Sequence, residues 1–385
     1  MTKGEWVVRK ILKKDDKNRQ MWFTASGIYP DQDPYLLHYC RVNYDGTGFV
    51  VMTGGNGTHT IEYSPDSKYI IAKYERVDMA PAHDLRRVSD GKKICDLETA
   101  DTAELEATGW KPPEVFVAKG RDGKTDIWGY VVRPRNYDPT KKYPVIEQIY
   151  AGPHSSHVRK TFAETDGLQT LANLGFIVVK IEGMGTMNRS RAFHAVAWQN
   201  LKDAGFPDRI LWMKALAAKY SYVDISRVGI YGTSAGGQNA AGAVLLHPEF
   251  YKVAVAACGC HDNRLDKSSW NEAWMGTFGP HYEANSNITL AKNLQGHLLL
   301  IVGEMDTNVP PESTYRVVDA LIKAGKDFDF IAVPGLGHSN GGPHGSRRTT
   351  EFFQKHLQGI DPPNHNAPGA AKGMVPKKGK GEDDQ

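Results

Sequence analysis

Several things are scarce in this 385-residue chain, and each scarcity removes a class of protein. Four cysteines, Cys40, Cys95, Cys258 and Cys260, are too few and too scattered to form a disulfide framework. Cys258-Gly259-Cys260-His261 has the outline of a metal motif. Zinc requires four ligands in tetrahedral array, however, and only this cluster offers any, so the thiols read as the buried end of the apolar run VAVAA. Neither metal nor cofactor is expected. No apolar stretch reaches the roughly 20 residues of a membrane helix. The opening MTKGEWVVRKILKKDDKN lacks the apolar core and cleavage site of a signal peptide, so the chain as written reads as soluble, unexported and cytoplasmic, with no membrane partner. Charge of one sign is also missing. With 47 basic and 44 acidic side chains the net charge is +3, and no basic patch marks a nucleic-acid partner.

Apolar residues, at 40%, are plentiful enough for a sizeable core. Through residue 112 they fall in short alternating or β-branched runs (QMWFTA, LLHYCRV, GFVVMT, HTIEYS, KYIIAKYERV, DLRRVS). Turn signals such as YDGTG, GGNG, SPDSK and SDGKK separate these runs. The rhythm predicts an all-β module of two four-stranded units resembling propeller blades. A propeller closes with at least about four blades. Two leave open strand edges, which tend to pair with another chain, a second copy included.

From residue 113 to about 360 the rhythm changes to strands alternating with helices. EVFVAKG, DIWGYVVRP, YPVIEQIY, GFIVVKIEG, RVGIYG, KVAVAACG, LLLIVGE and DFDFIAVPG predict a mostly parallel eight-stranded sheet covered by helices on both faces. In FPDRILWMKALAAKY, residues Ile210, Leu211, Leu216 and Tyr220 are expected to share the buried face of one helix. GMG after the fourth of these runs reads as a turn, because a lone Gly-x-Gly lacks the full dinucleotide fingerprint. Residues 361–385, rich in Pro, Gly, Asn and Lys, are expected to form a disordered tail.

The stretch GIYGTSAGGQNA places Ser234 between Gly232 and Gly236, after a strand and before a small-residue helix. That is the context of a nucleophile elbow, in which a tight turn lifts a hydroxyl above the sheet edge. A serine hydroxyl needs a base, and the base needs an acid that fixes its tautomer. On an α/β-hydrolase fold the order is serine, acid, histidine, each on a loop after a strand. Asp306 follows Ser234 by 72 residues (306 − 234), and His338 follows Asp306 by 32 (338 − 306), each shortly after an apolar run. Glu304 competes as the acid, and His344 and His261 compete as the base. The Ala235 N–H supplies one oxyanion donor, and Tyr150, on the loop after an early strand, can supply the other.

The segments GTSAGGQNA, EMDTNVP, GLGHSNGG and IYAGPHSS resemble the catalytic domain of the prolyl oligopeptidase family, in its dipeptidyl-peptidase-IV-like branch. The resemblance implies an α/β-hydrolase fold and a serine peptidase with Ser234 as nucleophile, Asp306 as acid and His338 as base. It implies oxyanion donors at Tyr150 and Ala235, and Asn308 as a ligand of the substrate carbonyl. Trp270 and Trp274, within SSWNEAWMG, would line the pocket for the residue before the scissile bond. Two departures bear on specificity. Residues 1–112 hold no adjacent glutamate pair to grip a substrate amine, and Asp266-Lys267-Ser268-Ser269 lacks the branch's second pocket tyrosine. The competing readings are an esterase for short-acyl or carbohydrate esters and, far behind, a non-catalytic binding protein.

Overall fold

The computed structural model describes residues 2–164 and 167–367. Of the expected tail, residues 368–385 therefore lie outside the described residues. Two small antiparallel sheets open the chain. The first runs in the order β1 (Val7–Asp15), β2 (Gln20–Ser26), β3 (Leu37–Asn43), β4 (Val50–Val51); the second runs β5 (Thr58–Tyr63), β6 (Tyr69–Arg76), β7 (Met79–Arg87), β8 (Lys93–Thr99). Alternation decides which face is covered: in β3 His38, Cys40 and Val42 are buried, and their neighbours are only partly covered. Trp22, Met52, Ile70 and Val88 form a cluster shared by the two sheets. These are the two blade-like units expected from the turn spacing.

The third sheet has eight strands: β9 (Glu114–Lys119), β10 (Asp126–Val132), β11 (Tyr143–Gln148), β12 (Ile177–Glu182), β13 (Val223–Thr233), β14 (Tyr251–Ala257), β15 (His297–Gly303) and β16 (Asp329–Val333). Their spatial order is β16-β15-β14-β13-β11-β12-β10-β9. The pairs from β12 to β16 are parallel, and β10 runs antiparallel to both β9 and β12. Because β11, β13, β15 and β16 point the same way, the loops that follow them emerge at one carboxyl edge. Those loops bring in Tyr150, Ser234, Asp306 and His338, residues spread over nearly half the chain.

Strands with near-continuous apolar runs need cover on both faces, and helices provide it. One corrects an expectation. In the helix Phe206–Lys219 the buried face is Phe206, Asp208, Arg209, Trp212, Met213 and Leu216, whereas Leu211 is exposed. Two charged residues also belong to the buried face. The Arg209 guanidinium is wholly buried against Glu147 of β11, and Tyr251 of β14 donates to the other Glu147 oxygen at 2.9 Å. Asp208, equally buried, accepts from the Met184 N–H and pairs with Arg121. Leu216 is buried and Ile210 and Tyr220 pack against the core as expected, so of the four only Leu211 departs.

The small sheets rest on the loop that follows β11. Lys160 pairs with Asp33 at 2.6 Å, and the Phe162 N–H donates to Glu75 at 3.0 Å. The Trp110 and Phe162 rings meet edge to face.

Candidate active site

Ser234 sits between β13 and the helix Ala235–Leu246 with φ 64° and ψ −128°. A positive φ is rare for a residue with a side chain and costs on the order of 1–3 kcal/mol. Hydrogen bonds hold it there: the Ser234 N–H donates to Ala257 O at 2.9 Å, and Ser234 O accepts from Gly237 and Gln238. A Cβ on Gly232 would lie 2.5 Å from both Gly236 O and Ile149 O, and one on Gly236 would lie 2.4 Å from Ile149 O. Both glycines are therefore required by contact.

His338 Nδ1 lies 2.7 Å from Asp306 Oδ2. A carboxylate only accepts, so Nδ1 carries the proton and Nε2 keeps its lone pair for a donor such as a serine hydroxyl. The Asp306 side chain is fully buried. Burial by itself would raise its carboxyl, but hydrogen bonds from His338 and from the Val309 and Asn308 N–H groups outweigh it and hold the group below the usual carboxylate range. Those two N–H groups both bind Oδ1 at 2.9 Å, which fixes the acid's rotamer.

Tyr150 follows β11, and its ring packs against Trp270 and Ala235 in the cavity that Ser234 also lines. Burial raises its titration above the ordinary tyrosine value, more than the Ser234 hydroxyl lowers it, so at neutral pH it is a donor. Its ring packs on His157, whose own Nε2 lies 2.8 Å from Gly152 O. Ala235, buried, opens the helix behind the serine. Tyr150, Ser234, Asn308 and His338 line one cavity of about 1020 Å³.

The two tryptophans meet edge to face, with ring centroids 5.9 Å apart, and differ in their other neighbours. Trp270 packs with Tyr150, Ala235, Cys260 and Val309 beside the serine. Trp274, on the other side of that ring contact, packs against Ala197, Leu201, Met275 and Tyr282. The competing groups also stand apart: Glu304 is exposed and caps Gly335, His344 meets Arg347, and His261 is buried against Asn287. Of the Cys258-Cys260-His261 group, only Cys258 joins a convergent set of ligand-type side chains among the described residues. Its neighbours there are Asp306 and His338, all three within 4.8 Å.

That contact of Cys258 was not legible in the sequence. Its thiol, pushed up by burial, donates to Ser339 O at 3.1 Å and lies against the Asp306 carboxylate. Parallel pairing of β14 with β15 places a strand-end cysteine beside a residue 48 positions later (306 − 258). Lys267 was missed as well. Its ammonium binds the Asn308 side chain and carbonyl, and the one available signal was the departure at the pocket-tyrosine position.

Comparison with known proteins agrees with this architecture. Residues 1–81 match the dipeptidyl peptidase IV N-terminal region. Human dipeptidyl peptidase 8 is 26% identical over 383 residues, covering 93% of this chain and 42% of its own length. A probable dipeptidyl-aminopeptidase B from Botryotinia fuckeliana is 28% identical, covering 88% and 37% respectively. The crystal structure of a putative dipeptidyl aminopeptidase IV from Bacteroides ovatus superposes with a TM-score of 0.80 at 27% identity, over 92% of this chain and 50% of that one. Porphyromonas gingivalis dipeptidyl peptidase 4 shares the fold, with a TM-score of 0.79 at 24% identity. The chain thus spans half or less of the length of these relatives. Residues 163–359, just over half of it, match the prolyl oligopeptidase family, and the chain belongs to that family.

Proposed function

We propose that the chain is a serine peptidase whose chemistry is carried by residues 113–360. The observation that carries the reading is the 2.7 Å pairing of His338 with the buried Asp306, at the rim of the cavity that also receives Ser234. Ser234 Oγ attacks the peptide carbonyl while His338 Nε2 takes its proton, and Asp306 steadies the imidazolium. The Ala235 N–H and the Tyr150 hydroxyl hold the oxyanion, each donor of this kind being worth about 2.7–4 kcal/mol. The imidazolium returns its proton to the leaving amine as the C–N bond breaks. Water, deprotonated by the same histidine, then releases the acid and restores Ser234.

Names among the relatives, dipeptidyl peptidases and a dipeptidyl-aminopeptidase, favour peptide over ester as the substrate. The proposal stops at peptide-bond cleavage. The adjacent glutamates that would measure a dipeptide from its amine do not occur in residues 1–112. Trp270, beside the serine, is assigned to the wall of the pocket for the residue before the scissile bond, and Trp274 to its support.

A paired assay tests the reading, using a dipeptide nitroanilide and a short-chain nitrophenyl ester, each with Ser234→Ala as control. Nitroanilide cleavage that falls by about 10⁶-fold in the folded variant is expected. Ester turnover alone would replace the peptidase with an esterase. Failure of a fluorophosphonate to label Ser234 would remove both.

A further inference from the structure

Lys267 lies at the entry to the helix Ser268–Met275, which carries Trp270. Its ammonium makes three contacts: Asp266 Oδ1 at 2.9 Å, Asn308 O at 2.5 Å and Asn308 Oδ1 at 2.9 Å. An ammonium has three N–H donors and no acceptor, so these contacts use all three. That count argues against a role as anchor for a substrate anion, although half of the side chain is exposed. The Asp266 side chain is 3% exposed, so the carboxylate that meets the ammonium is shielded from water.

The same chemistry settles which way the Asn308 amide faces. A cation beside the amide must meet its oxygen, so the NH2 group is turned away from Lys267. Asn308 is exposed and lines the cavity that holds Ser234 and His338, and among the described residues its Nδ2 has no hydrogen-bond partner. The backbone of Asn308 is fastened at both ends, its N–H to Asp306 Oδ1 and its carbonyl to Lys267.

We propose that Lys267 is a positioning residue for substrate binding: it fixes the Asn308 amide with its NH2 toward the cavity, ready to donate to the carbonyl of the residue that precedes the one acylating Ser234. The proposal rests on the reading of Asn308 as a carbonyl ligand. It goes beyond that reading by giving the asparagine its orientation from a side chain 41 positions away. Without the cation, the amide is free to flip and offers oxygen to oxygen in one of its two states.

The test compares two reversible inhibitors that bond to the serine. One is a dipeptide boronic acid, which has the preceding carbonyl; the other is the same terminal group as a simple alkylboronic acid, which lacks it. Inhibition constants are measured on the full chain as wild type, Lys267→Met, Asn308→Ala and the double variant, each checked by thermal melting. Lys267→Gln serves if the methionine variant fails to fold.

The wild type is expected to prefer the dipeptide boronate, and each single variant to cut that preference about tenfold, the worth of one good hydrogen bond. The double variant is expected to lose no more than either single one, because the lysine acts through the asparagine. An unchanged preference in Lys267→Met overturns the proposal, as does equal weakening of both boronates, which would mark a general collapse of the Asp306 turn. Losses that multiply in the double variant overturn it too. If Asn308→Ala alone is silent, the carbonyl ligand itself is refuted while the serine stands. If neither boronate binds the wild type, the assignment of the nucleophile falls first.

Discussion

Strands β8 and β14 are both seven residues long, and their surroundings could hardly differ more. Every residue of β8 is exposed, with Ile94 at 48% and Leu97 at 46%, whereas Val253 and Val255 of β14 are 0% and 3% exposed. Composition, with four polar residues of seven in β8 against one in β14, does not alone explain the exposure of Ile94 and Leu97, which bury as readily as valine. Neighbours do. β8 has a single partner, β7, and stands at the open edge of its sheet; β14 is paired on both sides and is buried within the large sheet. The small sheets are stabilised from one side and by the loop they sit on. The large sheet makes its own interior and can therefore hold a strained serine.

The comparison can be broken most forcefully at Glu147. Replacing it with alanine would leave Arg209 buried and unpaired and remove the acceptor of Tyr251, at a cost of about 3–5 kcal/mol. Urea denaturation of Glu147→Ala is expected to show that loss in the midpoint of the large sheet's transition. A shift below about 1 kcal/mol would mean that water reaches the pair.

Acid is expected to separate the two regions by a smaller margin. His38, on the buried face of β3, is lowered to about 3 by burial first and by neighbouring His59 second, and His59 is itself lowered by burial. Both rings are neutral when folded but protonate near 6.5 when unfolded, so the unfolded state takes up more protons below that value. Stability of the small sheets is then full above pH 6.5 and falls progressively toward pH 3. Hydrogen exchange of peptides from residues 20–87 should rise over that interval, and His38→Gln should flatten the rise. An identical slope in wild type and variant would assign the acid sensitivity elsewhere.

The smallest effect is expected at β8 itself. Ile94→Ala should change thermal stability by no more than about 0.5 kcal/mol, as at other exposed positions. A large loss would show that this edge is covered in solution, and sedimentation at the same concentration would identify a second copy as the cover.

The strands of the large sheet were legible because each is a short apolar run bounded by turns, and the positions of Ser234, Asp306 and His338 followed from strand ends. The charged part of the buried face of the helix Phe206–Lys219 was not. Arg209 goes inward only because Glu147 waits there, on a strand 62 positions earlier. Periodicity weighs a residue by its own polarity and is blind to a distant partner. The same blindness hid the Cys258 thiol against Asp306 and the Lys267 ammonium on Asn308. Trp274 looked equivalent to Trp270, and the two rings do touch, yet one helical turn gives Trp274 a different set of buried neighbours.

The junction at Lys160 and Asp33 has a geometric consequence for Tyr150, the proposed oxyanion donor. The segment that starts at Tyr150 is anchored at its far end in sheets that hold none of Ser234, Asp306 and His338. The phenol's bearing on the serine is thus set from outside, like a needle mounted on a separate bracket. Reshaping the small sheets would re-aim the proposed Tyr150 donor and leave the hydrogen bond between His338 and Asp306 as it was, so substrate tolerance could drift in this fold without any change at the residues proposed to make and break bonds.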